Sequence, residues 1–262
     1  MEKRREAGET SESPGEGFSK NVMLIVEYDG TGYSGFQVQP NAPSVQGQLE
    51  QALLRLTGES IRVVGAGRTD AGVHATGQVV NFVTTSALPP EKFVRALNSL
   101  LPPDVAVKAA SYVEAGFHAR FSARSREYEY RILNRSAKPA VGRQYVHHYR
   151  RWLDVEAMHE ACQSLVGRHD FASFAAADEK VRSTVRTVLA AECKRDGEMI
   201  TVAIRADAFL PRMVRNIVGT LLWVGTHAID VAQFREIMLA RDRNRAGPTA
   251  PARGLFLTKV DY

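Results

Sequence analysis

From residue 22 to residue 28 the chain is almost continuously apolar and rich in β-branched side chains, and it stops at the turn formers Asp29 and Gly30. This predicts a buried strand. The period then changes: Val45, Leu49, Ala52, Leu53 and Leu56 recur at helical spacing between the N-cap candidate Ser44 and a stop at Gly58. Residues 61–64 and 78–84 read as strands around a glycine-rich loop. A helix over 90–101 and a strand over 105–113 follow. Residues 126–133 alternate, which puts Tyr128, Tyr130 and Ile132 on one face. Asp154 caps a helix through Leu165, and 184–207 predicts a hairpin turning at Asp196 and Gly197. Met213, Val214, Ile217, Val218, Leu221 and Leu222 mark another helix, Asp230 caps the next, and 255–262 is a last strand.

Strands and helices mixed in both halves predict an α/β fold with α+β mixed sheets, built as two sheet-plus-helix subdomains over 20–113 and 114–262 with a cleft between them. Residues 1–19 mix charges with Gly, Ser and Pro and have no apolar segment, so they read as a disordered tail and not as a signal peptide. No stretch approaches the roughly 18 apolar residues of a spanning helix; the longest candidate is 217–224. Two cysteines, Cys162 and Cys193, cannot build a disulfide scaffold or a four-thiolate zinc site, so a reducing, cytoplasmic location is expected.

Lys+Arg 34 against Asp+Glu 29 gives only +5, so the distribution of charge matters more than its sum. Residues 115–151 hold Arg120, Arg124, Arg126, Arg131, Arg135, Lys138, Arg143, Arg150 and Arg151 against Glu127 and Glu129. A second run comprises Arg241, Arg243, Arg245 and Arg253, opposed only by Asp242. Interleaved with Tyr128, Tyr130 and Tyr145, these runs point to a polyanionic partner.

Gly30, Gly32 and Gly35 satisfy a dinucleotide-binding pattern after a strand, but Pro40 and Pro43 intervene before the helix at Ser44. A pyrophosphate site needs the loop to open directly into a helix, so these residues read as a glycine-rich turn. The adjacent His147 and His148 face opposite sides of a strand and make a poor chelate. Residues 65–77, GAGRTDAGVHATG, carry the most chemistry: small residues give a ligand room to approach Arg68, Thr69, Asp70 and His74. From its residue types alone, Asp70 is a nucleophile or a turn-capping acid.

The blocks VEYDGTGYSGFQ (26–37), SVQGQLEQAL (44–53), GAGRTDAGVHATGQVVNF (65–82), FHARFSARSREYEYRILN (117–134), GRHDFASF (167–174), MVRNIVGTLLWVG (213–225) and PTAPARGLFL (248–257) closely resemble the tRNA pseudouridine synthase A family. The likeness covers nearly everything beyond the tail. Departures fall at Phe36, Asn81, Pro211 and Arg212. The resemblance implies a pseudouridine synthase fold with a central basic cleft and isomerisation of uridines 38, 39 and 40 in the tRNA anticodon stem-loop. It also implies no cofactor or metal, and a homodimer whose two chains bind tRNA together.

It further implies that Asp70 is the catalytic aspartate, with Arg215 of the MVRN block as its partner. A desolvated carboxylate drifts toward neutrality without a cation beside it, and a guanidinium can bind it bidentately. Tyr128 matches the family's active-site tyrosine, whose ring stacks on uracil and whose hydroxyl is a candidate for the proton step at C5; Tyr130 is the packing partner. Arg68 is implied to fill the stack vacated when the base flips out, and Leu255 to pack against the base. The alternative is a tRNA-binding protein or RNA chaperone without chemistry. Asp70, Tyr128 and Arg215 occurring together favour the enzyme.

Overall fold

The computed structural model describes residues 19–176 and 182–262. All of the expected tail except Ser19 lies outside the described residues. In chain order the elements are β1 (Lys20–Tyr28), α1 (Val45–Thr57), β2 (Val64–Gly65), β3 (His74–Thr84), α2 (Pro90–Leu100), β4 (Val105–Val113), β5 (Ser125–Asn134), β6 (His147–Tyr149), α3 (Val155–Gln163), β7 (Gly167–Asp170), β8 (Val185–Asp196), β9 (Met199–Ala206), α4 (Met213–Gly225), α5 (Val231–Leu239) and β10 (Leu255–Asp261).

The strands join in one mixed sheet in the order β4-β1-β3-β10-β5-β9-β8-β7, with β2 on β3 and β6 on β5. The last strand therefore lies mid-sheet. β10 runs parallel to β3, with Phe256 opposite His74, and antiparallel to β5, with Leu255 opposite Tyr130. That single strand carries backbone pairing from one half of the chain to the other. In the first half α2 packs on β4 and against α1; in the second, α3 packs on β8 and against α4 and α5. One hydrophobic core spans both halves, from Leu24, Phe82 and Phe93 to Ile132, Ile217 and Phe234.

Local signals set most element ends. Ser44 Oγ accepts from Gly47 N–H and Gly58 takes the left-handed conformation that closes α1. Asp154 accepts from Ala157 N–H, and Asp230 and Gln233 form a reciprocal capping box at α5. The strand expected over 61–64 reduces to Val64–Gly65. Side chains of α1 occupy its backbone instead: Val63 N–H donates to Glu50 and Val63 O accepts from Gln46 Nε2. β3 begins at His74, four residues before the expected strand, because β10 pairs with its first residues. α3 ends at Gln163, short of Leu165, where tighter i to i−3 hydrogen bonds replace the helical ladder. Among the described residues no helix is long and apolar enough to cross a membrane.

Candidate active site

The glycine-rich loop is a short connection between β2 and β3, fastened from below by side chains of other strands. Gln78, fully buried on β3, donates Nε2–H to Gly67 O at 2.8 Å and accepts from Gly67 N–H at 3.3 Å. The amide thus stands in for a backbone partner. Arg126 on β5 donates from Nε and Nη2 to Ala66 O at 3.1 and 2.9 Å. It also donates to Asp207 O at 2.9 Å and to Arg120 O. Further along, Tyr28 Oη and Thr69 Oγ1 share a 2.8 Å hydrogen bond, and Phe36 N–H donates to Thr69 O. Gly35 makes that last approach possible: its φ is +108°, and a Cβ there would lie 2.7 Å from Thr69 O.

Val73 N–H then donates to Asp70 O, closing a turn that passes through Gly72 at φ +74°. The turn projects the Asp70 carboxylate into a cleft of about 610 Å³. Arg215, in the first turn of α4, meets it: Nη1 lies 2.9 Å from Asp70 Oδ2, while Nε donates to Ala250 O at 2.8 Å. Asp70 is 39% exposed and Arg215 only 16%, so the carboxylate is the accessible member of the pair.

Tyr128 is buried on β5 and lines the same cleft, its ring edge-to-face with Phe209 at 4.9 Å. Among the described residues its hydroxyl has no hydrogen-bond partner. Burial raises its pKa well above that of an ordinary phenol; the charges of Tyr28 and Asp70 act in the same direction and that of Arg126 opposes them. Tyr128 therefore keeps its proton at neutral pH. Tyr130, two residues on and fully buried, donates instead to Pro251 O at 2.8 Å. Leu255, at the start of β10, and Arg68, exposed on the loop, line the cleft too. The five expected site residues thus share one cavity wall or its ion pair.

The cleft is strongly cationic. Arg62, Arg68, Arg120 and Arg212 line it, and Asp70 is the one carboxylate among its lining residues. Arg212 begins α4 in a left-handed conformation, φ 59°. The first basic run nevertheless divides. Arg120, Arg124, Lys138, Arg143, Arg150 and Arg151 are exposed, but Arg126 is internal, Arg131 pairs with Glu129 and Arg135 with Glu198. In the second run Arg241 pairs with Asp170, and Arg243 donates to Asn216 and Ala246 O. Sequence reasoning missed Arg126 as a loop clamp; a charged residue at an inward position of the alternating β5 pattern was the available signal.

Beneath the loop His74 is buried and stacks on Phe256 at 4.7 Å. Its Nδ1 accepts from Gly30 N–H at 3.0 Å and its Nε2 faces Gln144 O at 3.0 Å. Burial lowers its pKa against the pull of Asp29, so the 3.1 Å approach of Asp29 Oδ1 to Nδ1 is a contact with a neutral ring. The glycine-rich turn at Gly30 is thus a seat for His74. Among the described residues no three His, Cys, Asp or Glu side chains converge as a metal site.

A family model described as tRNA pseudouridine synthase matches residues 24–122 and 161–262. The chain is 44% identical over 243 residues to the tRNA pseudouridine synthase A of Caldicellulosiruptor bescii, covering 93% of this chain and 100% of that protein. It is 46% identical to the protein of the same name from Brevibacillus brevis, with the same coverage. Identity to that of Aeromonas hydrophila is 47%, over 92% of this chain and 90% of the relative. With the fold, the RTDAGVHA loop and the full-length likeness in agreement, the chain belongs to the tRNA pseudouridine synthase family.

Proposed function

We propose that this chain isomerises uridine to pseudouridine at positions 38, 39 and 40 of the tRNA anticodon stem-loop. The observation that carries the reading is the Asp70–Arg215 ion pair on the wall of a cleft lined by four arginines and Tyr128. The reaction breaks the N1–C1′ bond and makes a C5–C1′ bond. A proton leaves C5 and one ends on N1, so no electrons are gained or lost. Asp70 acts as the nucleophile that holds the sugar while the glycosidic bond is open, and Arg215 fixes the carboxylate that does so.

A paired or stacked uridine has to leave the helix to reach Asp70, at a cost of a few kcal/mol. Arg68 occupies the vacated stack, and Tyr128 and Leu255 hold the released uracil for its turn. As a neutral phenol, Tyr128 accepts the C5 proton on its oxygen as its own hydroxyl proton passes to the uracil ring, which supplies the proton that ends on N1. Residues 20–113 and 114–262 act as two units whose surfaces form the cleft, and two chains present their arginines to one tRNA. The reaction belongs in the cytoplasm, with the tRNA, and needs no cofactor.

The test is pseudouridine formation at positions 38–40 of unmodified tRNA by the wild-type chain and by Asp70→Asn, with tRNA affinity measured for both. Product from the wild type alone, at equal affinity, is the expected result. Binding without product from either protein would leave a tRNA-binding protein or chaperone.

A further inference from the structure

The rim of the cleft carries a ring that neither the core nor the ion pair uses. Phe121 is 75% exposed, more than any other aromatic side chain among the described residues, yet it lines the same cavity as Asp70 and Tyr128. Its turn is rigid. Phe121 N–H and Ser122 N–H both donate to His118 O at 3.1 and 2.9 Å, His118 N–H donates to Ser122 Oγ at 3.1 Å, and Arg120 O is held by the buried Arg126. The His118 imidazole stacks on the Phe121 ring at 4.4 Å with an interplanar angle of 29°. That contact fixes the ring's plane without burying it.

The surroundings decide what such a ring takes. A docking patch for protein needs contiguous apolar surface, whereas here the neighbours in the turn are His118 and Arg120, with the Arg120 guanidinium 5.5 Å from the ring centroid. A largely exposed aromatic ring with a cation over it is the arrangement that accepts a nucleobase and its phosphate. The base of the reacting nucleotide is already assigned to Tyr128 and Leu255. We infer that Phe121 is a stacking platform for an unpaired nucleobase flanking the target uridine, with Arg120 on that nucleotide's phosphate; this rests on the RNA reading of the cleft.

The test measures binding of unmodified anticodon stem-loop RNA in an Asp70→Asn background, which separates affinity from turnover. Phe121→Ala should weaken binding roughly tenfold, Phe121→Trp should restore it, and the new indole should be quenched by the RNA. The penalty of Phe121→Ala should disappear on RNA made abasic at the stacked flanking position. Equal affinity of Phe121→Ala and its parent overturns the platform, as does an undiminished penalty on RNA abasic at either flanking position. If Phe121→Ala leaves affinity unchanged but shifts the sedimentation coefficient, the ring belongs to a contact between copies of the chain. Pseudouridine assayed with the wild-type chain reports on the proposed reaction separately: a stem-loop bound through Phe121 but never converted would sink the reaction and leave the platform standing.

Discussion

Arg215 reaches Asp70 across 145 residues of chain, and it does so with one nitrogen, Nη1, and not bidentately, because Nε is held by Ala250 O. Two anchors on separate segments fix the direction of the cation, so the carboxylate oxygen facing it is fixed as well. Lysine offers a point charge and cannot make both contacts in that geometry. Arg215→Lys is therefore expected to lower kcat roughly 10²-fold, since misplacement of a reacting group by about 1 Å costs that much. KM for tRNA should change far less. Single-turnover pseudouridine formation beside tRNA affinity measures the split, and an equal loss in both would make Arg215 an RNA-binding residue.

Tyr128 offers a cleaner separation, because its ring and its hydroxyl carry different duties. The ring packs on Phe209 and faces the cleft, and the hydroxyl remains a protonated phenol. Tyr128→Phe keeps the first and removes the second. The chemical step should slow by roughly 10² to 10⁴-fold, as expected for loss of a proton-transfer group, with tRNA affinity retained. Tyr128→Leu should lose affinity for the flipped nucleotide as well. If Tyr128→Phe turned over at the wild-type rate, the proton step would have to be assigned elsewhere.

Arg126 holds three backbone carbonyls from three segments: Ala66 of the loop, Arg120 of the Phe121 turn and Asp207 after β9. Arg126→Met fills much of the volume but leaves those acceptors without donors. Charge-assisted hydrogen bonds of this kind contribute about 1.5–3 kcal/mol each at most and are not additive, so a loss of roughly 2–4 kcal/mol is expected. Urea unfolding followed by circular dichroism measures it. Because the group is buried, the salt dependence of tRNA binding should not change in the way that loss of a phosphate contact would change it.

What the sequence revealed about the fold was mostly local. Ser44, Asp154 and Asp230 cap helices by bonding to N–H groups three residues away, and the alternation in β5 follows from one buried face. The insertion of β10 between β3 and β5 left no such trace, because a strand's neighbours depend on long-range pairing and not on its own pattern. The same limit applies to the site. Residue types marked the loop around Asp70, but its pairing with Arg215 was reachable only through the family resemblance. Arg126 lies in the basic run of the sequence yet points inward, and the exposure of Phe121 has no local signature because it is set by the 118–122 turn.

His147 gives the fold a dependence on pH that can be worked out in sign. Its ring lies edge-to-face with Tyr130 and Tyr149, and its buried Nδ1 has no partner among the described residues. Burial, with Arg253 and His148 adding repulsion, lowers its pKa to about 4. The unfolded ring titrates near 6.5. Between those values the unfolded chain binds more protons, so the contribution of the neutral ring is complete above about pH 6.5 and is lost as pH falls toward 4. From pH 7 to pH 5 the loss is at most about 2 kcal/mol. His74, also lowered by burial, changes stability in the same direction and remains in a His147→Phe variant. That variant should therefore show a shallower fall in stability from pH 7 to pH 5 than the wild type, measured by urea unfolding at each pH. Identical slopes in the two proteins would mean that the His147 ring is no more buried when folded than when unfolded.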